Sequence, residues 1–529
     1  MKYKNTFITL LLLVLTILLS LHNYYTILLI NIDEGIALYG AKRIILGQIL
    51  YKDFFDIVTP GTDYLLAGVF KIFGTTLKAA RITTIVANAL NVAMLYSISN
   101  SFTKNKKLAL IPSVLLMMIY ITDVDYYAVS HHWFAITTVI FTLLLSIKSE
   151  EGKLSWVFPG IGTFLVFIFM QSDGFIVYGM LVIFLLVKIF LNKDKQRYIL
   201  HDFIYYSLGF WILIVVLCLL FYANGGLKDF MYDVFIWPIN HYKTTNDISY
   251  FTVPFNNQLL QIYGYSFIEK ITLPIIWYLP LLLLFLSITF VIIEYSKNRT
   301  IDYHLILLLL ILSSLFISEL FNPEILRIVV YGPLILIMIL TLWGRDKTLF
   351  HSFFKAISIF YLIGGLTFTW YTCRTEFKNA NFVGKHSLTV KSAAGDILVA
   401  NNSPGMISNI LTLLNALNWE FPENTFIFYW SPIIYFMSGT NNPTILNTYV
   451  PLYNTRAQVD KVIQQLKSSK PPLIIMDNYL DLLRYQWTWR NVNPGVFDPS
   501  NDKILQYVNQ HYVVDKELYG VYTIYKLKD

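Results

Sequence analysis

Charge is scarce in this chain. Of its 529 residues only 14% are Asp, Glu, Lys or Arg, against about a quarter in an ordinary soluble domain. Cysteine is nearly absent: Cys218 and Cys373 alone give neither a disulfide framework nor a metal-ligand spacing. The sequence lacks a G-x-x-x-x-G-K-[ST] phosphate loop, a G-x-G-x-x-G turn after a strand, H-E-x-x-H and G-x-S-x-G. Nucleotide hydrolysis, dinucleotide chemistry, zinc proteolysis and ordinary serine hydrolysis are therefore without support. No internal repeat or low-complexity segment stands out. The net charge of +7 does not point to nucleic acid, because the basic residues sit in short loops between apolar runs.

Long apolar runs are what the chain has in abundance: 56% of it is hydrophobic. The runs do not alternate with polar residues, which argues against a membrane β-barrel. In lipid every backbone polar group needs an internal partner, so such runs become helices. The pattern predicts about eleven spans of the length a bilayer core requires: 6–30, 80–101, 108–121, 129–147, 156–170, 174–191, 203–223, 272–293, 303–320, 327–343 and 351–372. The first follows Lys2 and Lys4 and reads as an uncleaved span. Loops holding Lys104, Lys106 and Lys107, then Lys148 and Lys153, Lys193, Lys195 and Arg197, Lys297 and Arg299, and Arg345 and Lys347 alternate with loops free of Lys and Arg near 122–128, 171–173 and 321–326. The positive-inside rule then predicts a cytoplasmic N-terminus.

The chain divides into a transmembrane part, 1–372, and a soluble α/β domain, 373–529, on the far side. The first outer loop, 31–79, reads as two amphipathic helices at the membrane surface. Asn31 or Asp33 caps the first, whose apolar face is Ala37, Leu38, Ala41, Ile44 and Ile45, with Gly47 as its stop. The second carries Leu65, Leu66, Val69, Ile72 and Phe73. In the tail, strands are expected at Thr425–Tyr429, Leu473–Met476 and Tyr522–Lys526, and a helix over Ala457–Lys467 begun by Thr455. This alternation suggests a partly parallel sheet.

Polar residues gather at the outer ends of the spans. Asp33 and Glu34 follow the first span, where a carboxylate can take a proton from an attacking hydroxyl; both acids can equally serve the N-terminus of the next helix. Asp123 and Asp125 can share a divalent cation, or simply solvate a loop. In Ser130-His131-His132-Trp133, adjacent histidines should diverge on a helix and make a poor metal pair, though His132 can meet a phosphate. Gln171 and Asp173 face a cavity, or form a hairpin turn. Arg327, near Asn322 and Glu324, can fork onto a phosphate or pair with Glu324. Lys42 and Arg43 are further phosphate candidates, or snorkel to lipid head groups.

A family resemblance rests on Asp33-Glu34-Gly35, Tyr39, Arg43, Gly47-Gln48, Tyr51-Lys52-Asp53-Phe54-Phe55-Asp56 and Pro60-Gly61. It extends to Ser130–Trp133, Asp229-Phe230, Trp237-Pro238 through His241-Tyr242, and Ser431-Pro432-Ile433-Ile434-Tyr435-Phe436. These stretches resemble the GT-C membrane glycosyltransferases, in the branch related to protein O-mannosyltransferases and the lipid A aminoarabinose transferase. The resemblance implies a GT-C fold and transfer of a sugar from a polyprenyl-phosphate donor, usually with inversion, to a lipid, glycan or protein at the outer face of the cytoplasmic membrane. It implies Asp33, with Glu34, as the catalytic acid pair, and Asp123 or Asp125 as a second acidic site with a possible divalent metal. It further implies Arg43, His132 or Arg327 on the phosphate, and Asp56, Gln171, Asp173 and Tyr242 toward substrate. Where close relatives carry Lys before the Pro of the first loop, this chain has Thr59, so the phosphate contact must come from elsewhere. A transporter or flippase is the competing reading. It would be expected to show repeated halves and helices broken near mid-membrane.

Overall fold

The computed structural model describes residues 2–22, 25–29, 31–242, 249–256, 266–298, 301–321, 323–343, 349–400, 405–429, 432–451, 453–478, 499–518 and 520–528. Among these, nine helices are long and apolar enough to cross a membrane. The first part of the chain contains α1 (Lys2–His22), α2 (Ile32–Ile45), α3 (Gly61–Phe73), α4 (Leu77–Thr103), α5 (Lys106–Thr122), α6 (His131–Glu150), α7 (Val157–Phe169), α8 (Gln171–Leu191), α9 (Gln196–Ala223) and α10 (Leu227–Met231). Then come α11 (Phe267–Asn298), α12 (Tyr303–Phe321), α13 (Ile325–Trp343) and α14 (Leu349–His386). The third and fifth expected spans are α5 and α7, of 17 and 13 residues. At about 1.5 Å per residue, α7 rises only about 20 Å, so length alone does not carry the count to eleven.

The first expected span also ends early. α1 stops at His22, and the apolar residues after it do not continue into lipid. Ile27 forms a parallel bridge with Leu398, and the Leu28 N–H donates to the Leu398 carbonyl at 2.8 Å. An apolar run satisfies a bilayer and a sheet edge equally well, so sequence could not separate the two.

Both outer-loop helices form. Asn31 is the cap of α2, its side-chain oxygen accepting from the Asp33 and Glu34 N–H groups at 3.0 and 3.2 Å. Gly47 turns the chain with φ +89°, the left-handed region that glycine enters at no steric cost. α2 is buried more deeply than a surface helix would be. Leu38, Tyr39 and Ala41 are buried, Tyr39 stacks on Tyr435 at 4.7 Å, and a Cβ on Gly35 would meet the Ile433 backbone. α3 keeps the expected character better: Leu66 and Phe70 are buried, while Ile72 and Phe73 stand exposed at its tip.

After α14 the chain forms the antiparallel pair β1 (Ser387–Ser392) and β2 (Gly395–Ala400), then α15 (Gly405–Ala416), β3 (Thr425–Phe428), α16 (Ile433–Ser438), α17 (Arg456–Ser469), β4 (Leu473–Asp477), α18 (Lys503–His511), β5 (Tyr512–Leu518) and β6 (Tyr522–Leu527). A four-stranded sheet runs β3-β4-β6-β5, with β3 and β4 parallel and the other neighbours antiparallel. Thr455 starts α17 through a capping box with Gln458, each group satisfying an otherwise orphaned donor. The tail shares one apolar core with the first loop: Leu38, Leu66 and Phe70 pack with Ile434, Phe436, Ile475 and Ile524.

Candidate active site

Asp33 is the second residue of α2 and its side chain is partly accessible. Facing it are His131 and His132, the first two residues of α6, where Ser130 caps the helix by accepting from the His132 N–H at 3.3 Å. The two imidazole rings lie 4.0 Å apart and tilted by 41°. One ligand atom each of Asp33, His131 and His132 falls within 4.8 Å of the others. The expectation that neighbouring histidines diverge is overturned. In the first turn of a helix no preceding turn crowds the side chains, and both rings can lean over the helix end toward Asp33.

Arg327, near the start of α13, supplies the central cation and is 1% exposed. Its Nε lies 3.1 Å from Glu319 Oε1 and 3.1 Å from Glu324 Oε2. Glu324 Oε2 in turn lies 3.9 Å from His132 Nε2. Glu319 accepts from the Tyr331 hydroxyl at 2.9 Å and from the Glu324 N–H at 2.8 Å. Arg327 is within electrostatic range of Asp33 and of Asp173, and Asp173 accepts from the Ser318 hydroxyl at 2.7 Å. The Arg327–Glu324 pair foreseen as the bland alternative is thus present, and it forms part of a larger acidic frame around one guanidinium. Asn322 lies outside the described residues, as does Ser431 of the tail.

Burial dominates the electrostatics of this frame. It pushes the Asp33 carboxyl up to about 6, with repulsion from Glu324 and Asp56 adding and Arg327 opposing. Asp56 is also pushed by burial to about 6, against the stabilising N–H groups of Val58 and Ile57. Burial and the nearby Glu324 raise Asp125 as well. Taking a carboxylate out of water favours its neutral form, and neighbouring acids deepen the effect.

Other expected residues are tied to neighbours within the fold. Glu34 is not open for catalysis: Arg81 holds it through 2.8 and 2.6 Å contacts to its two oxygens, and the Val129 N–H adds a third at 3.0 Å. The Asp123 carboxylate accepts from the Asp125 N–H at 3.0 Å and caps that short turn. Arg43 sits ten residues beyond Asp33, about 15 Å along the helix. Its donors go to Gln48, Asn447, Thr444 and the Asp53 carbonyl. Lys42 donates to the Gly439 and Thr440 carbonyls. Gln171 bonds to the backbone of Ile57, Thr59 and Val234 and ties α8 to the first loop. Tyr242 packs with Trp237 and Tyr453, and Tyr453 lies in electrostatic range of Tyr242, Asp56 and Asp33.

Arg81, Glu319 and Tyr453 were not foreseen. For the first two a signal existed: a charge inside an apolar helix must find a partner, and Arg81 of α4 and Glu319 of α12 are such charges. For Tyr453 there was none, because only the folded tail brings it to Asp33.

No protein-family model matches the chain, and no curated protein matches it by sequence. Solved structures do. ArnT from Cupriavidus metallidurans bound to undecaprenyl phosphate aligns with a TM-score of 0.54 at 11% identity, over 98% of this chain and 97% of that one. ArnT from the same organism in the apo state gives 0.52 at 12% identity, over 98% of each chain. The chain has the GT-C fold. At such identity the likeness carries the architecture, a multi-pass helical bundle with a small C-terminal sheet, and leaves the chemistry to be argued from the side chains.

Proposed function

We propose that this chain transfers a sugar from a polyprenyl-phosphate donor to an acceptor at the outer face of the cytoplasmic membrane, with inversion at the anomeric carbon. The acceptor is a lipid, a glycan or a protein. The observation that carries the reading is the convergence of Asp33, His131, His132 and Arg327 at one end of the helical bundle. The ArnT structure of the same fold holds undecaprenyl phosphate, a ligand of the matching chemical class. The alternation of basic loops in the sequence orients this end, with the first loop and the tail, away from the cytoplasm.

In this reading Asp33 accepts the proton of the acceptor hydroxyl as that oxygen bonds to the anomeric carbon. The bond from that carbon to the phosphate oxygen breaks on the opposite face, and polyprenyl phosphate leaves with the electron pair. The sugar passes through oxocarbenium character, as in glycoside cleavage. Arg327 and the imidazoles oppose the charge growing on the phosphate; His132 Nδ1 is buried without a hydrogen-bond partner and is available to it. A divalent ion, if bound, would be held by Asp33, His131 and His132 and would supply further charge neutralisation. A transporter is the weaker reading, because the titratable groups stand at helix ends: Asp33, His131, Asp173 and Arg327 near the starts of α2, α6, α8 and α13, and Glu319 at the end of α12.

Asp33→Asn tests the assignment in reconstituted vesicles supplied with a synthetic polyprenyl-phosphate sugar. Loss of a positioned base lowers turnover by about 10²–10⁴-fold, while donor binding and the elution profile stay unchanged. Full transfer activity in that variant would remove Asp33 from the mechanism.

A further inference from the structure

A cavity of about 680 Å³ opens between the far end of α2 and the tail. It is set apart from the Asp33 site by about 15 Å of helix, and nothing in the proposed transfer uses it. Its walls are unusually rich in side-chain amides, including Gln48, Asn424, Asn441 and Gln465. Gln48 and Gln465 spend only their oxygens, accepting from Arg43 at 2.6 Å and from the Ile445 N–H at 2.9 Å. Both amide NH2 groups remain as donors. Asn441 Oδ1 is buried without a partner, an acceptor left over inside the wall. The half-buried Gln48 and Gln465 amides line the cavity with their donors unspent, which a polar guest can meet.

The charge on the walls narrows the guest's chemistry. Arg43, Lys52 and Lys461 line the cavity with Asp53 as the one acid among its walls, and Asp53 is engaged by the Ile49 N–H at 2.7 Å. Arg43 contributes charge from the floor, with four of its five N–H donors already engaged. Lys52 and Lys461 are exposed at the rim. Paired amides fit vicinal hydroxyls, each of which both donates and accepts, and two ammonium groups fit a phosphate, Lys52 with one donor on the Asn224 carbonyl at 3.1 Å and others to spare.

We propose that this cavity is a binding site for a phosphorylated saccharide, with the amides of Gln48, Asn441 and Gln465 on its hydroxyls and Lys52 and Lys461 on its phosphate. The site stands whether or not the transfer reading holds, because its test measures binding and not turnover.

The experiment is titration calorimetry on the full chain in detergent micelles, with glucose 6-phosphate as probe and glucose and inorganic phosphate as comparators. Glucose 6-phosphate is expected to bind at least about tenfold more tightly than either comparator. Lys461→Glu reverses a rim charge that has no hydrogen-bond partner among the described residues, and Gln48→Glu keeps the acceptor for Arg43 while removing the amide donor. Each is expected to weaken the probe by about tenfold or more with an unchanged elution profile, and Asp33→Asn to leave it unaffected. The proposal is overturned if no probe binds, if inorganic phosphate binds as tightly as the sugar phosphate, or if binding survives Lys461→Glu and is lost in Asp33→Asn.

Discussion

A carboxylate works as a base at neutral pH when it has lost enough water to want a proton and yet remains largely ionised. Asp33 meets both conditions, its carboxyl pushed up to about 6 by burial and by Glu324 and Asp56. The sign follows directly: below that value the group is protonated and cannot accept the acceptor's proton. The apparent second-order rate of transfer is therefore expected to fall about tenfold per pH unit below pH ~6 and to level off above it. A rate profile taken from about pH 4.5 to 8 checks this, and a rate still flat at the acidic end would count against Asp33. Its neighbour is held in place by an ion pair. Glu34 is locked to Arg81, both essentially buried. Arg81→Ala leaves an uncompensated charge in the bundle, at a cost of about 3–5 kcal/mol. Thermal unfolding in detergent should register that loss, and the double variant Arg81→Met with Glu34→Leu should recover much of it.

Helices meet here where side chains are smallest. Gly160 of α7 and Gly209 of α9 face each other so closely that a Cβ on the first would strike the Tyr206 carbonyl and one on the second the Val157 carbonyl. Small residues let helix backbones approach in lipid, where no hydrophobic force drives them together. Gly209→Leu is expected to push α7 and α9 apart and destabilise the bundle by about 1–3 kcal/mol, read as a lowered melting temperature against Val216→Leu, a lipid-side control. The same short, glycine-bearing α7 explains why the span count resisted reading. Its 13 residues are apolar enough for a bilayer and too short for one.

Elements with strong periodicity or caps were legible: α3, α17 with Thr455, and three of the strands. What α2 touches was not, because Leu38 and Tyr39 look the same whether lipid or the tail covers them. The β1–β2 pair, β5 and α15 were missed as well. β5 is mostly exposed along its length and lacks the alternation that marks a half-buried strand. At the site, Asp33 and His132 could be singled out from position and residue type, whereas the pairing of His131 with His132 needed the geometry of the α6 start. The frame of Glu319, Glu324 and Arg327 required knowing that α12 ends and α13 begins beside the start of α6.

At the scale of the whole molecule the tail and the first loop are one body. Lys42 reaches the Gly439 and Thr440 carbonyls, Arg43 reaches Thr444 and Asn447, and Leu38, Leu66 and Phe70 lose their cover if the sheet is removed. A chain ending at His386 is expected to aggregate on extraction, or to melt at a clearly lower temperature than the full chain, by size-exclusion chromatography and a thermal scan. A truncated chain that stays monodisperse with an unchanged melt would mean that the shared core contributes little.

The contact between Ile27 and Leu398 bears on time as well as shape. A ribosome making this protein delivers the residues just past the opening helix early and their strand partner several hundred residues later. Tyr453, which approaches Asp33, follows later still. Neighbours in this fold are thus separated by hundreds of residues of synthesis, and the sheet edge beside Ile27 stays vacant until Leu398 has been made.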